Sequence, residues 1–228
     1  MKYEQVISGK FIKRDNRFIA RVWVDGREEV VHVKNTGRCK ELLLPGVTVI
    51  LAKAVNPNRR TAYSLIAVYK GKKLINMDSQ VPNQVVAEAL QQGKIAEVGQ
   101  VDRIRREVTY GNSRFDIYFE SVGQKGFIEV KGVTLEQDGT VLFPDAPTVR
   151  GTKHIYEMVH AVGQGYAGCI FFLVQMNQVS HFTPNRKMDA DFAEALSIAA
   201  EKGVRILVYD SVVREDEIFL GNPVSFVL

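Results

Sequence analysis

The stretch from Arg114 to Lys131 narrows the possible folds more than any other part of the chain, because it alternates twice around a turn. Arg114-Phe115-Asp116-Ile117-Tyr118-Phe119-Glu120 has the period of two of a strand, which sends Phe115, Ile117 and Phe119 one way and Asp116, Tyr118 and Glu120 the other. Gly123-Gln124-Lys125-Gly126 turns the chain. In Phe127-Ile128-Glu129-Val130-Lys131 the same period points Ile128 and Val130 inward and Phe127, Glu129 and Lys131 to the opposite side. Paired as a hairpin, the two strands bring Asp116 toward Glu129 and Lys131. Neighbouring carboxylates repel unless a cation or a shared proton relieves them, so the set suits a hard divalent cation such as magnesium.

The surroundings of this hairpin predict two regions. Residues 3 to 78 read as short strands, Glu4–Lys13, Arg17–Val24, Glu29–Val33, Val47–Ala54 and Thr61–Tyr69, with turns such as Asp25-Gly26 and Pro45-Gly46 between them. Strands at this spacing close into a small barrel, either five-stranded of the oligonucleotide-binding (OB) type or SH3-like. Asn76 to Asn83 is the expected junction, dividing the chain into 1–80 and 81–228. Beyond it, a helix from Pro82 or Asn83 to Gln92 buries Val85, Val86, Ala89 and Leu90 and carries Glu88 close to its apolar face. Arg103–Tyr110 is a further strand. Thr152 is placed to cap a helix with Ile155, Met158, Val159 and Val162 on its core stripe, and Cys169–Val174 has the unbroken apolar run of a strand covered on both faces. Asp189 or Asp191 caps another helix that Gly203 stops, and Arg205–Tyr209 follows as a strand. This order predicts an α/β sheet layered by helices, in a chain that is α+β as a whole.

Charge divides along the same line. Residues 1–80 carry 16 Lys and Arg against 7 Asp and Glu, a net +9, and the remainder is −5. A basic barrel fits a polyanion such as DNA, held through its phosphates and therefore largely without sequence specificity. The candidate contacts are Lys13, Arg14, Arg17, Arg21, Lys34, Arg38, Lys40, Arg59 and Arg60, with Trp23 or Tyr63 as stacking surfaces, and a merely solvated basic face is the alternative. No apolar run approaches the roughly 18 residues of a membrane span, and the start Met-Lys-Tyr-Glu lacks a signal-peptide segment, so a cytoplasmic protein with no membrane partner is expected. Cys39 and Cys169 have no metal-ligand spacing and read as structural.

Other chemistries find little support. His32, His154, His160 and His181 form no metal-spaced set, and neither a Gly-rich phosphate loop nor a Gly-x-Ser-x-Gly elbow is present. Arg150, Lys153 and His154 gather where a helix begins. Together with its unpaired N–H groups they either hold a phosphate or form a polar first turn.

An acidic helix, a strand with Asp and a strand with Glu-x-Lys resemble the core of the PD-(D/E)xK nuclease superfamily. That resemblance implies that Asp116 and Glu129 ligate Mg2+ or Mn2+, that Lys131 positions the attacking water, and that Glu88 is an outer or second-metal ligand. Longer motifs extend the likeness. Ser113-Arg114-Phe115-Asp116, Ile128-Glu129-Val130-Lys131-Gly132-Val133-Thr134-Leu135 and Phe143-Pro144-Asp145-Ala146-Pro147-Thr148-Val149-Arg150-Gly151-Thr152-Lys153-His154, with Asn35-Thr36-Gly37-Arg38 and Arg106-Glu107-Val108, resemble the sugar fermentation stimulation protein A family. This implies an N-terminal OB-like barrel joined to a nuclease-like domain, in a DNA-binding protein. Regulation of sugar (maltose) metabolism genes without catalysis is the alternative to metal-dependent phosphodiester hydrolysis. Val149 departs from the family pattern, which has glutamate there. A protein that only binds has no need of two carboxylates turned toward phosphates that they repel, and this favours the nuclease-like site.

Overall fold

The computed structural model describes residues 1–35, 37, 39–56 and 58–228. Its first sheet comprises β1 (Val6–Arg14), β2 (Ile19–Val24), β3 (Arg27–Val33), β4 (Thr48–Lys53), β5 (Tyr63–Lys70) and β6 (Lys73–Asn76). β1 pairs with both β2 and β4, β2 with β3 and β4 with β5, and a parallel contact between β3 and β5 at His32↔Ser64 and Val33↔Leu65 closes five strands into a barrel. That order, β1-β2-β3-β5-β4 and back to β1, is the OB arrangement and not the SH3-like one. The apolar alternation that defines the strands also fills the barrel, with Phe11, Val22, Val31, Leu51 and Leu65 all buried.

The chain continues as α1 (Val81–Gln91), β7 (Arg103–Tyr110), β8 (Ser113–Ser121), β9 (Gln124–Val133), β10 (Leu135–Gln137), β11 (Thr140–Phe143), α2 (Val149–Gly163), β12 (Ala167–Val174), β13 (His181–Pro184), α3 (Ala190–Glu201), β14 (Arg205–Val213) and β15 (Ile218–Pro223). Six of these strands form a mixed sheet in the order β15-β14-β12-β9-β8-β7, and β10, β11 and β13 form a smaller one. On one face Val85, Val86 and Leu90 of α1 pack with Ile117, Phe119 and Ile128, joined by Ile50 and Ile66 from the barrel. On the other, Ile155 and Met158 of α2 and Phe192 of α3 pack with Phe115, Phe127 and Phe172. Both faces of this sheet are therefore interior. Phe127 and Glu129, expected on an outer face, are each only 3% exposed.

Helix starts differ from the sequence expectation in one place that matters. Thr148, not Thr152, caps α2 by accepting from Gly151 N at 3.1 Å, which draws Arg150 into the first turn. Asp189 caps α3 through Phe192 N at 2.9 Å. Polar seams tie the first sheet to the second region: Gln175 Nε2, just past β12, donates to Asn76 Oδ1 and Asp78 O, while Lys70 and Lys73 both pair with Glu136 on β10 of the smaller sheet. No helix among the described residues is long and apolar enough to cross a membrane.

Candidate functional site

β8 and β9 pair from Ser121↔Gln124 to Ile117↔Ile128, and there their ladder ends. At the next residue a side chain replaces the lost backbone partner: Asp116 Oδ2 accepts from Val130 N at 2.8 Å, and Oδ1 accepts from Asn83 Nδ2 at 2.7 Å. Alternation breaks at the same point. Phe115 packs with Phe127 and His154 on the α2 side, whereas Ile117 and Phe119 lie under α1. On β7, Glu107 falls between the pairs Arg106↔Ile117 and Val108↔Phe115 and adopts a φ of 56°, so the irregularity crosses both strands. This corrects the expectation that Phe115 shares a face with Ile117. A local kink, which a period-two count does not register, sets Asp116 in the opening between β8 and β9.

The second carboxylate is held differently. Glu129 Oε1 accepts from Lys131 Nζ at 2.7 Å and also contacts His154 Nδ1. Glu129 Oε2 is buried and has no hydrogen-bond partner among the described residues. Arg150 Nε–H donates to His154 Nε2 at 3.4 Å, so Nε2 is the acceptor and Nδ1 carries the proton that faces Glu129. Burial pushes the Glu129 carboxyl up, but the His154 hydrogen bond and the Lys131 charge outweigh it and hold the group below the usual carboxylate range. Asp116 moves the other way: burial first, then the negative charge of Glu129, raise its pKa against the pull of Val130 N–H, Lys131 and Asn83. Glu129 is thus the settled anion, and Asp116 is the one a cation would relieve.

These donors fit a magnesium-type ion. Such an ion binds through one or two carboxylates and completes its shell with water and substrate phosphate, and here the unpartnered Oε2 of Glu129 and the strained charge of Asp116 are the two. Among the described residues no group of three or more His, Cys, Asp or Glu side chains gathers, so the donor set offered is no larger.

The other residues singled out from sequence take several places. Glu88 binds the Met1 amine at 2.7 Å and Gln84 Nε2 at 2.8 Å, and no contact joins it to Asp116 or Glu129 among the described residues. Five residues after Asn83, it is rotated about 140° around α1, so Asn83 takes the place beside Asp116 expected of Glu88. His154 faces inward and is buried, and Lys153 donates to Asn112 O at 3.0 Å, so Arg150, Lys153 and His154 do not form an open phosphate cradle. Arg14 directs its guanidinium at the carbonyls of Asn16, Arg17, Asn35 and Gly37. Arg21 pairs with Asp15 and Glu28, and Lys34 with the buried Asp78. Arg17 and Lys40 are exposed and line a groove of about 730 Å³ with Lys13. Arg38 lies outside the described residues. Sequence reasoning missed Asn83 as a partner of Asp116 and missed the inward turn of His154. The one available signal for the latter was its spacing from Ile155 and Met158 on the core stripe.

Family models match both regions of the chain. The SfsA N-terminal OB domain matches residues 12–77, and the sugar fermentation stimulation protein RE domain matches residues 80–217. Proteins named sugar fermentation stimulation protein homolog are similar over nearly the full length. The one from Alkaliphilus oremlandii is 56% identical and the match covers 99% of this chain and 98% of the relative; that from Desulfitobacterium hafniense is 52% identical, covering 100% and 99%. The solved structure of Pyrococcus furiosus SfsA in complex with Ca2+ aligns with a TM-score of 0.90 at 26% identity, covering 100% of this chain and 98% of that one.

Proposed function

The chain belongs to the sugar fermentation stimulation protein family, and from that premise we propose that it binds nucleic acid through its barrel and hydrolyses phosphodiester bonds with Mg2+ or Mn2+ held by Asp116 and Glu129. The observation that carries this reading is the buried, unpartnered Oε2 of Glu129 beside an Asp116 whose pKa the same carboxylate raises. Leaving a buried polar atom unsatisfied costs about 1–3 kcal/mol, more for a charged one, and a cation would offset it. That the P. furiosus protein was solved in complex with Ca2+, another ion that prefers oxygen ligands, supports the reading.

When bound, the cation supplies Lewis-acid polarisation of the scissile phosphate and lowers the pKa of a water. The protein's own residues prepare the rest. Asn83 and the Val130 N–H fix both oxygens of Asp116, while Lys131 and His154 hold Oε1 of Glu129 and leave Oε2 to ligate. Lys131 would orient the water, which gives up a proton as its oxygen bonds to phosphorus, while the bond to the leaving oxygen breaks and that oxygen takes up a proton, so that one water is consumed. Arg17 and Lys40 grip neighbouring phosphates, so residues 1–80 hold the substrate and 81–228 cut it. DNA is the partner this chemistry suggests, held largely without sequence preference.

The test is incubation of the purified protein with DNA and RNA in Mg2+ or Mn2+, beside Asp116→Ala and Glu129→Ala. Cleavage that disappears in both variants, with nucleic-acid affinity largely kept, supports the proposal. No cleavage with either metal, and no ion between the two carboxylates in a metal-soaked crystal, removes hydrolysis and leaves a binding protein. One observation favours that second reading: Lys131 already balances the charge of Glu129, and His154 contacts the same oxygen. A DNA-binding regulator of sugar (maltose) metabolism genes would use the same groove without turnover.

A further inference from the structure

We propose that the nucleic acid this protein takes is single-stranded and lies in the groove on the barrel rim, with the exposed Phe18 ring, which follows Arg17 in the chain, as a stacking platform. The inference rests on the nucleic-acid reading above and adds the form of the strand. The groove of about 730 Å³ on the barrel rim joins cations, Lys13, Arg17 and Lys40, to apolar walls at Phe11 and Leu43, and Ala146 of the second region also lines it. A duplex hides its base faces and presents phosphates. Only an unpaired strand offers bases to the apolar wall and phosphates to the cations at once.

A second recess adjoins the groove. Gly37 lines both the groove and this narrower recess of about 150 Å³, which includes Asp145 and Gly132, the residue after Lys131. Both glycines sit where there is no room for a side chain: a Cβ would lie 2.6 Å from Asp145 Oδ2 at Gly37, and 2.5 Å from Gln175 Oε1 at Gly132. Glu129 itself is 3% exposed, so a phosphate must descend to reach it. A duplex, with a persistence length of about 50 nm, stays straight across such a mouth, whereas a single strand bends into it.

Phe18 is 49% exposed next to Arg17. The loop that presents it is fixed, because Asn16 Oδ1 accepts from Phe18 N at 2.9 Å and from Ile19 N at 3.1 Å, and Arg14 holds Arg17 O. An aromatic ring held out beside a cation is the recurrent form of a base-stacking site.

The experiment measures fluorescence anisotropy of the full chain in EDTA. Its probes are a labelled oligodeoxynucleotide of about 16 nucleotides, the upper end of what one OB fold covers, the same strand annealed to its complement, and the matching oligoribonucleotide. The expected result is at least tenfold tighter binding of a single strand than of the duplex. Phe18→Ala should weaken single-strand binding several-fold with an unchanged salt slope, and Arg17→Glu with Lys40→Glu should weaken it and flatten that slope by about one unit or more. Lys94→Glu serves as the control. Equal or tighter duplex binding, no binding of either probe, or an unaltered Phe18→Ala variant overturns the proposal, and the DNA and RNA arms tell which single strand is preferred. Parallel cleavage assays in Mn2+ separate the two readings. Single-strand binding without cleavage sinks hydrolysis alone, and preferential binding and cleavage of duplex sinks this inference alone.

Discussion

Asn83 Nδ2 donates to Asp116 Oδ1 at 2.7 Å, so a side chain from the first turn of α1 sets the orientation of an acid carried by β8. The bond spans the face of the sheet on which α1 packs, and it is one of two that hold Asp116 in the gap where the ladder opens. Asn83→Ala removes a partly buried hydrogen bond to a charged group and should cost about 1–2 kcal/mol of stability in chemical denaturation. Asn83→Asp adds a third carboxylate to a pair that already repels. It should cost more in EDTA and recover part of the loss on addition of Mn2+. Equal stabilities of the two variants in EDTA would count against the repulsion described here.

The two carboxylates should give opposite pH signatures in the metal-free protein. The folded-state pKa of Asp116 is raised by burial and by Glu129, so its contribution to stability is present at low pH and is lost as pH rises through that elevated value. Glu129 lies below its usual value, so its contribution is present above about pH 4.3, the ordinary value for glutamate, and is lost as pH falls through the depressed one. The stability of the wild type relative to Asp116→Asn should therefore decline toward neutrality, and relative to Glu129→Gln it should decline toward acid. Denaturation midpoints in EDTA across this range check both signs, and two parallel profiles would contradict them.

How much of this was legible depends on the distance in sequence between interacting groups. The hairpin of Asp116 and Glu129 was readable because its signals, alternation and a glycine-rich turn, are local, and the barrel was readable for the same reason. The kink at Asp116 was not, since the partners of Phe115 on its observed face, Phe127 and His154, come from β9 and α2 and leave no mark in the local alternation. Counting cations could not separate Arg14 from Arg17 either. Their difference lies in the carbonyls of Asn35 and Gly37, which reach Arg14 from more than twenty residues away. The partner of Glu88, the Met1 amine, comes from the start of the sequence, and the rotation of α1 that turns Glu88 toward it is set by packing against the sheet and not by the periodicity of the helix.

That difference between two neighbouring arginines is testable. Arg14 crosslinks the β1–β2 turn to Asn35 and Gly37 through bonds from a charged donor, so Arg14→Ala should destabilise the protein by about 2–3 kcal/mol. Arg17→Ala removes an exposed side chain and should change stability by no more than about 0.5 kcal/mol while weakening nucleic-acid binding. A thermal melt beside an anisotropy titration for each variant decides. Loss of binding at unchanged stability in Arg14→Ala would mean that it meets phosphate after all.

His154 should prove to be a positioning residue for Glu129. Its buried ring lies against Phe115 and its Nδ1–H faces Oε1, the oxygen that Lys131 also holds. With His154→Ala, that oxygen keeps Lys131 alone and a cavity opens beside Phe115, so a loss of about 2–3 kcal/mol is expected. His154→Asn keeps a donor and fills part of the space, and should recover some of it. Stability by itself would not separate support of the core from support of the carboxylate. The discriminating measurement is Mn2+ affinity by calorimetry in the two folded variants, where a freer Glu129 should bind the ion several-fold more weakly in His154→Ala and closer to wild type in His154→Asn. If both bind Mn2+ as the wild type does, His154 serves the core and has no part in orienting Glu129.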